Sequence, residues 1–143
     1  MFEIQAKNQD IRVTEIALYA HREVTDLAEV YTRDGTYRDN EFKSNGWSLA
    51  YRNRNEALGG SRNLTSLKLT SPVTVKAGSS QSFLVWTDVK LRYNKGTDEG
   101  VPYSSDNFVT FFEGVGVTSK FSGSANDRYA PRVFSGEIRY IVV

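Results

Sequence analysis

The feature that most constrains this chain is a period-two alternation of apolar and polar residues, repeated in nearly every readable segment, with no sustained run at helical spacing. Alternation sends successive side chains to opposite faces of an extended strand, so such segments build half-buried sheets. Phe2, Ile4 and Ala6 open the series, and Ile11 and Val13 continue it. The apolar set then moves from odd to even positions at Ile16 and Leu18. A change of phase inside one strand needs one extra residue, which predicts a β-bulge near Thr14 and Glu15.

Residues 24–30 are the best helix candidate, but they are few, and the Val30-Tyr31-Thr32 continuation favours a strand. That strand runs to Asp34-Gly35, a strong turn signal. Further alternating sets are Trp47, Leu49 and Tyr51, then Leu67 and Leu69, then Val73 and Val75. Phe83 and Val85, backed by Leu84 and Trp86, precede Val89, Leu91 and Tyr93. Residues 108–112 and the closing set Ile138, Tyr140 and Val142 complete the pattern. Breaks fall at Ser71-Pro72, at residues 77–80 and at Asn94-Lys95-Gly96, all rich in turn formers. Residues 53–62, 94–106 and 119–131 read as loops.

About nine or ten strands at spacings of roughly 8–12 residues predict an all-β, antiparallel β-sandwich of jelly-roll-like type, with no significant helix. Polar outer faces are expected, with Val13, Leu49, Trp86, Phe111 and Ile138 in the core. The last strand is expected to pair inside a sheet, beside the N-terminal strand. A chain of 143 residues supports one domain, residues 1–143.

Composition removes much chemistry. There are no cysteines, which excludes disulfides, thiolate zinc sites, iron–sulfur clusters and cysteine nucleophiles. His21 is the single histidine, and no Gly-x-Ser-x-Gly nucleophile elbow accompanies it, so an exposed loop position is expected. With 18 Lys and Arg against 17 Asp and Glu, the net charge of +1 argues against a nucleic-acid binder working through its whole surface. No stretch of about 18 apolar residues offers a membrane span. The opening residues lack the basic start and apolar run of a secretory signal. The expectation is a soluble chain, either intracellular or a mature or excised part of an exported protein.

Three groups of residues have candidate roles. The first is acidic: Asp98, Glu99, Asp106 and Glu113 read as solvated loop acids, or as the carboxyl pair of a glycoside hydrolase. Asp98, Glu99 and Asp106 are also candidates for Ca²⁺, which takes several oxygens, although no Asp-x-Asp-x-Asp-Gly pattern is present. The second is aromatic: Tyr93, Tyr103 and Tyr129 fall at strand ends or in loops near Asn94, Asp106 and Asn107. Tyrosine rings stack on the C–H faces of sugars while Asn and Asp bind hydroxyls, which makes these six a candidate glycan site. The alternative is that the tyrosines close the ends of the core. The third is basic: Tyr51-Arg52-Asn53-Arg54 suits a solvated strand edge better than a nucleic-acid contact. Asn63-Leu64-Thr65 fits the N-glycosylation acceptor pattern.

The run from Leu91 to Gly100, Tyr103-Ser104-Ser105-Asp106-Asn107 and Glu113-Gly114-Val115-Gly116 resembles an uncharacterised β-rich domain of secreted and cell-surface proteins from marine algae, diatom-like, and some bacteria. Val30-Tyr31-Thr32-Arg33-Asp34-Gly35, Gly46-Trp47-Ser48-Leu49 and the segment from Ala130 to Tyr140 agree with it in order. The resemblance implies an extracellular or cell-surface setting and a role in adhesion or matrix. A non-enzymatic module is therefore expected, acting in adhesion, in glycan contact or as a self-associating subunit of an extracellular assembly. Its partners would be glycan or copies of itself, with no nucleic acid and no membrane insertion, and its cofactors none, with Ca²⁺ the open exception. A polysaccharide hydrolase and a viral or phage jelly-roll structural protein are the alternatives.

Overall fold

Strands account for nearly all of the regular structure, which a computed structural model describes over residues 1–143. In chain order they are β1 (Phe2–Ala6), β2 (Ile11–Leu18), β3 (Val24–Asp34), β4 (Ser48–Ala57), β5 (Thr65–Val75) and β6 (Ser80–Thr87). Then come β7 (Tyr93–Lys95), β8 (Pro102–Ser105), β9 (Val109–Phe112), β10 (Gly114–Val117), β11 (Arg128–Phe134) and β12 (Gly136–Val142). The one helical piece is a three-residue 3-10 turn, Ala125–Asp127, capped by Ser124.

The strands form a six-stranded sheet, β4-β3-β6-β1-β9-β8, and two three-stranded sheets, β10-β11-β7 and β12-β2-β5. All pairings are antiparallel. The architecture is a β-sandwich with no closed barrel. One face of the six-stranded sheet, carrying Phe2, Ile4, Phe83 and Val85, packs on Val13, Ile16, Leu67 and Leu69 of β2 and β5 in one cluster of 18 buried residues. Phe2 stacks on Phe83, Phe111 and Phe134, with centroids 5.5, 4.8 and 5.0 Å away. Such rings contribute through both buried area and offset stacking.

The phase change in β2 is a bulge. Val13 faces Tyr140 and Glu15 faces Arg139, which leaves Thr14 unpaired between them and keeps Val13 and Ile16 both fully buried. Two glycines are required by geometry. Gly35 turns the chain after β3 at φ +77°, and a Cβ on Gly114 would stand 2.1 Å from the Met1 carbonyl where β10 crosses the start of β1.

Several expectations are corrected. There are twelve strands, in three sheets. Residues 53–57 are not loop but the end of β4, an edge strand whose pairing with β3 holds a polar sequence that no core would select. Ser71-Pro72 does not break the chain but lies inside β5, also at an edge, where the pairing with β2 skips from Val73 to Lys68 and no N–H is required of the proline. Val89 and Leu91 make no strand; Leu91 forms a single bridge with Ala20, and regular pairing begins at Tyr93. The loops expected at 94–106 and 119–131 contain β8 and the first half of β11, which are held by neighbours rather than marked by alternation.

The last strand, β12, pairs with β2, whereas β1 lies between β6 and β9. Leu49 is 40% exposed, because the β3–β4 register shifts at Ala50 and buries the alanine instead. Trp86 is half-buried and outside the core cluster. The expected polar outer face also fails on the six-stranded sheet. Glu29 and Leu84 lie on the face opposite Val30 and Phe83, yet both are buried. Residues before β4 and after β10 cover them: Phe121 packs edge-on against Tyr31 at 4.9 Å and lies 5.6 Å from Trp47.

Candidate functional site

Of the acids chosen from the sequence, Asp98, Glu99 and Glu113 meet through their backbone at one corner, and Asp106 stands apart from them. Glu113, just after β9, turns its carboxylate into the backbone of the segment that follows β7, where Thr97 N–H and Asp98 N–H donate at 2.7–3.0 Å. Those two amides hold its carboxyl below the usual range. Asp98 contributes its amide to this contact, and its side chain faces solvent. Glu99 accepts from the buried Tyr37 hydroxyl at 2.9 Å and pairs with Arg128, which also reaches Glu41 at 2.8 Å. Burial, then the Glu99 charge, pushes the Tyr37 hydroxyl well up.

Asp106 closes the turn between β8 and β9. It accepts Phe108 N–H and Val109 N–H at 2.8 Å and the Tyr140 hydroxyl at 2.5 Å. Burial alone would raise its carboxyl, but these donors outweigh it and hold it low. Burial and the Asp106 charge push Tyr140 up to about 12. No group of three or more histidine or acidic side chains stands close enough to share a metal ion. The candidate Ca²⁺ ligands Asp98, Glu99 and Asp106 therefore have separate surroundings, two of them filled by protein donors.

The tyrosines divide between two hollows. Tyr93 and Tyr129, 45% and 49% exposed, line a cleft of about 670 Å³ between the C-terminal end of β6 and the β10-β11-β7 sheet. Trp86, Leu91, Phe134 and Arg132 line it too. Tyr103, on the edge strand β8, lines a second hollow of about 330 Å³ with Asp106 and Tyr140. Asn94 is exposed on β7, opposite Val133, and Asn107 is exposed in the turn after β8; neither lines either hollow. Of the six candidate glycan residues, the structure brings Tyr93 and Tyr129 together in the larger cleft.

Residues that the sequence did not single out complete this cleft. Arg132, which follows the Ala130-Pro131 pair on β11, lays its guanidinium 5.1 Å from the Tyr93 ring centre, and Lys90 lies 6.0 Å from the same centre. Two cations thus lie over the Tyr93 ring, at a distance where ring and charge attract. Tyr129 has no such partner and lines the cleft half-exposed. Beside Tyr93 the cleft continues into a groove lined by His21, Ser61, Arg62, Lys90 and Arg92. Backbone bonds fix this corner: His21 N–H donates to the Lys90 carbonyl and Arg92 N–H to the Tyr19 carbonyl, both at 2.9 Å.

Lys90, Arg92 and Tyr93 are near neighbours in sequence, and the segment before β7 brings them to one groove without strand pairing of its own. His21 and Arg62 arrive from distant segments and gave no signal. His21 is exposed, as expected. Arg52 of the basic segment is engaged by Glu29, and the segment lies on the edge strand β4. No family model, curated protein or solved structure matches the chain.

Proposed function

We propose that this protein is a non-enzymatic recognition module of an extracellular or cell-surface setting that holds glycan in the cleft between β6 and the β10-β11-β7 sheet. The observation that carries the reading is the pair of half-exposed tyrosines, Tyr93 and Tyr129, on one cleft with Trp86 and Arg132. Tyr129 supplies a free ring face for the C–H face of a sugar, and the cleft has the volume of ordinary small-ligand sites.

A hydrolase reading has less support. A glycosidase needs one carboxyl that keeps its proton, whereas Asp106 and Glu113 are both held ionised by their donors. Asp106 and Glu113 also line different hollows. A glycan array tests the proposal: wild-type protein gives defined signals, and Tyr129→Ala loses them while keeping its melting temperature. Signals unchanged in Tyr129→Ala would refute it. The array is run with Ca²⁺ and with chelator, and the scattered surroundings of Asp98, Glu99 and Asp106 lead us to expect equal signals.

Self-association has its own observation. The strand β12 is a sheet edge, and Ile141, Val142 and Val143 at its end are 51%, 39% and 57% exposed. An open apolar edge is a template for another strand, here β12 of a second copy. Size measurement across concentration tests this, and a monomer at every concentration would remove it.

A further inference from the structure

The groove that extends the cleft carries charge of one sign only. Its lining of six residues contains Arg62, Lys90, Arg92 and His21 and no carboxylate. It shares Lys90, Arg92 and Tyr93 with the cleft, so the two form one continuous surface. None of its cations is in an ion pair; the pairs of the molecule use Arg52, Lys76, Lys120, Arg128 and Arg139. Arg92 donates to the Ser61 carbonyl at 3.2 Å and lies 5.1 Å from the Tyr19 ring centre, so its position is set without a counter-charge.

A second, independent observation lies in the cleft itself. Arg132 Nε is the one buried side-chain polar atom without a hydrogen-bond partner, and the same guanidinium satisfies only one backbone carbonyl, that of Pro131. A buried donor left unmade is costly, and in a native protein it asks for an explanation. An acidic group on a bound ligand supplies acceptors for this guanidinium and a counter-charge for the groove. Asp88 is the one acidic residue of the cleft lining.

We infer that the ligand is an acidic glycan, bearing sulfate or carboxylate groups that lie on Arg62, Lys90, Arg92 and Arg132 while a sugar ring faces Tyr129. This rests on the reading of the cleft as a glycan site. Guanidinium groups bind such oxyanions through paired, charge-assisted hydrogen bonds. The same cations would attract nucleic-acid phosphate, but a strand held by its backbone needs a longer basic track than this groove offers on a chain of net charge +1. A compact acidic group beside a stacking ring fits better.

The test titrates the full chain with dextran sulfate, polygalacturonate, neutral dextran and single-stranded DNA at about 150 mM NaCl, where weak surface attraction is screened. Each is repeated with Arg62→Gln/Lys90→Gln, with Tyr129→Ala, and with Lys43→Gln/Lys68→Gln, which removes the same charge elsewhere. The expected result is binding of a charged glycan and not of dextran. Arg62→Gln/Lys90→Gln should weaken it about tenfold or more, and Lys43→Gln/Lys68→Gln less than about twofold. Equal binding of dextran, lost in Tyr129→Ala, would overturn the acidic ligand and leave the glycan cleft standing. Equal losses in both charge variants would also overturn it, as would tighter binding of DNA than of either charged glycan. No binding of any polysaccharide would overturn both readings. Unchanged melting temperatures separate loss of binding from loss of fold.

Discussion

Two charged regions of this molecule use the same residue types in opposite ways. On the outer face of the six-stranded sheet the charges are closed on one another. Glu29, fully buried, is held there by Lys120, Arg52 and the Tyr31 hydroxyl, and in the same closed manner Arg128 of β11 joins Glu41 and Glu99. In the groove beside Tyr93, Arg62, Lys90 and Arg92 have no acid at all. Buried charges must be compensated within the protein, whereas open ones leave their charge for a ligand. Charge alone therefore marks neither structure nor function; the state of its partner does.

That contrast gives a graded set of expectations. The largest is for Arg128→Ala, which leaves the largely buried Glu41 and Glu99 without their shared cation and should cost about 3 kcal/mol in chemical denaturation. Glu29→Gln weakens three contacts but keeps the shape, and should cost about 1–2 kcal/mol. A value near zero for both would erase the distinction between closed and open charges.

The pH dependence comes next. Burial would raise Glu29, but Lys120, Arg52 and Tyr31 outweigh it, and Asp106 and Glu113 are likewise held low. A carboxyl depressed in the folded state adds stability that is complete above its unfolded pKa, near 4, and is lost as pH falls through the folded value. The contribution of these carboxylates to the denaturation midpoint should therefore stay level from about pH 7 to 5 and fall below about pH 4. Glu113→Gln should flatten that fall. A midpoint indifferent to acid would mean that these carboxylates gain nothing from their partners. The smallest effect is for Arg62→Gln and Lys90→Gln, each expected within about 0.5 kcal/mol of wild type.

How far the sequence could be read follows the same division. The all-β sandwich was legible because alternation reports burial on one face, and even the Thr14 bulge showed as a shift from Val13 to Ile16. Strands β8 and β11 were hidden, since Pro102–Ser105 and Arg128–Phe134 are extended through pairing with neighbours rather than through their own pattern. The covered outer face was hidden too, because Glu29 reads as a solvated position until Lys120 arrives from far along the chain. Tyr93 and Tyr129 stood out by their places at strand ends or in loops near polar residues, and only the fold shows that they share a cleft while Tyr103 does not. The groove joins His21, Arg62 and Lys90 from separate segments, which no local pattern records.

Amide NMR of the whole chain, titrated with a short sulfated oligosaccharide, decides whether one continuous surface from Tyr129 to Arg62 receives an acidic glycan. Saturable shifts are expected, confined to residues 61–62, 90–93 and 129–132, with Tyr103 and β12 unmoved. Shifts centred on β12 or on the Tyr103 hollow, or no saturable shifts at all, would contradict it.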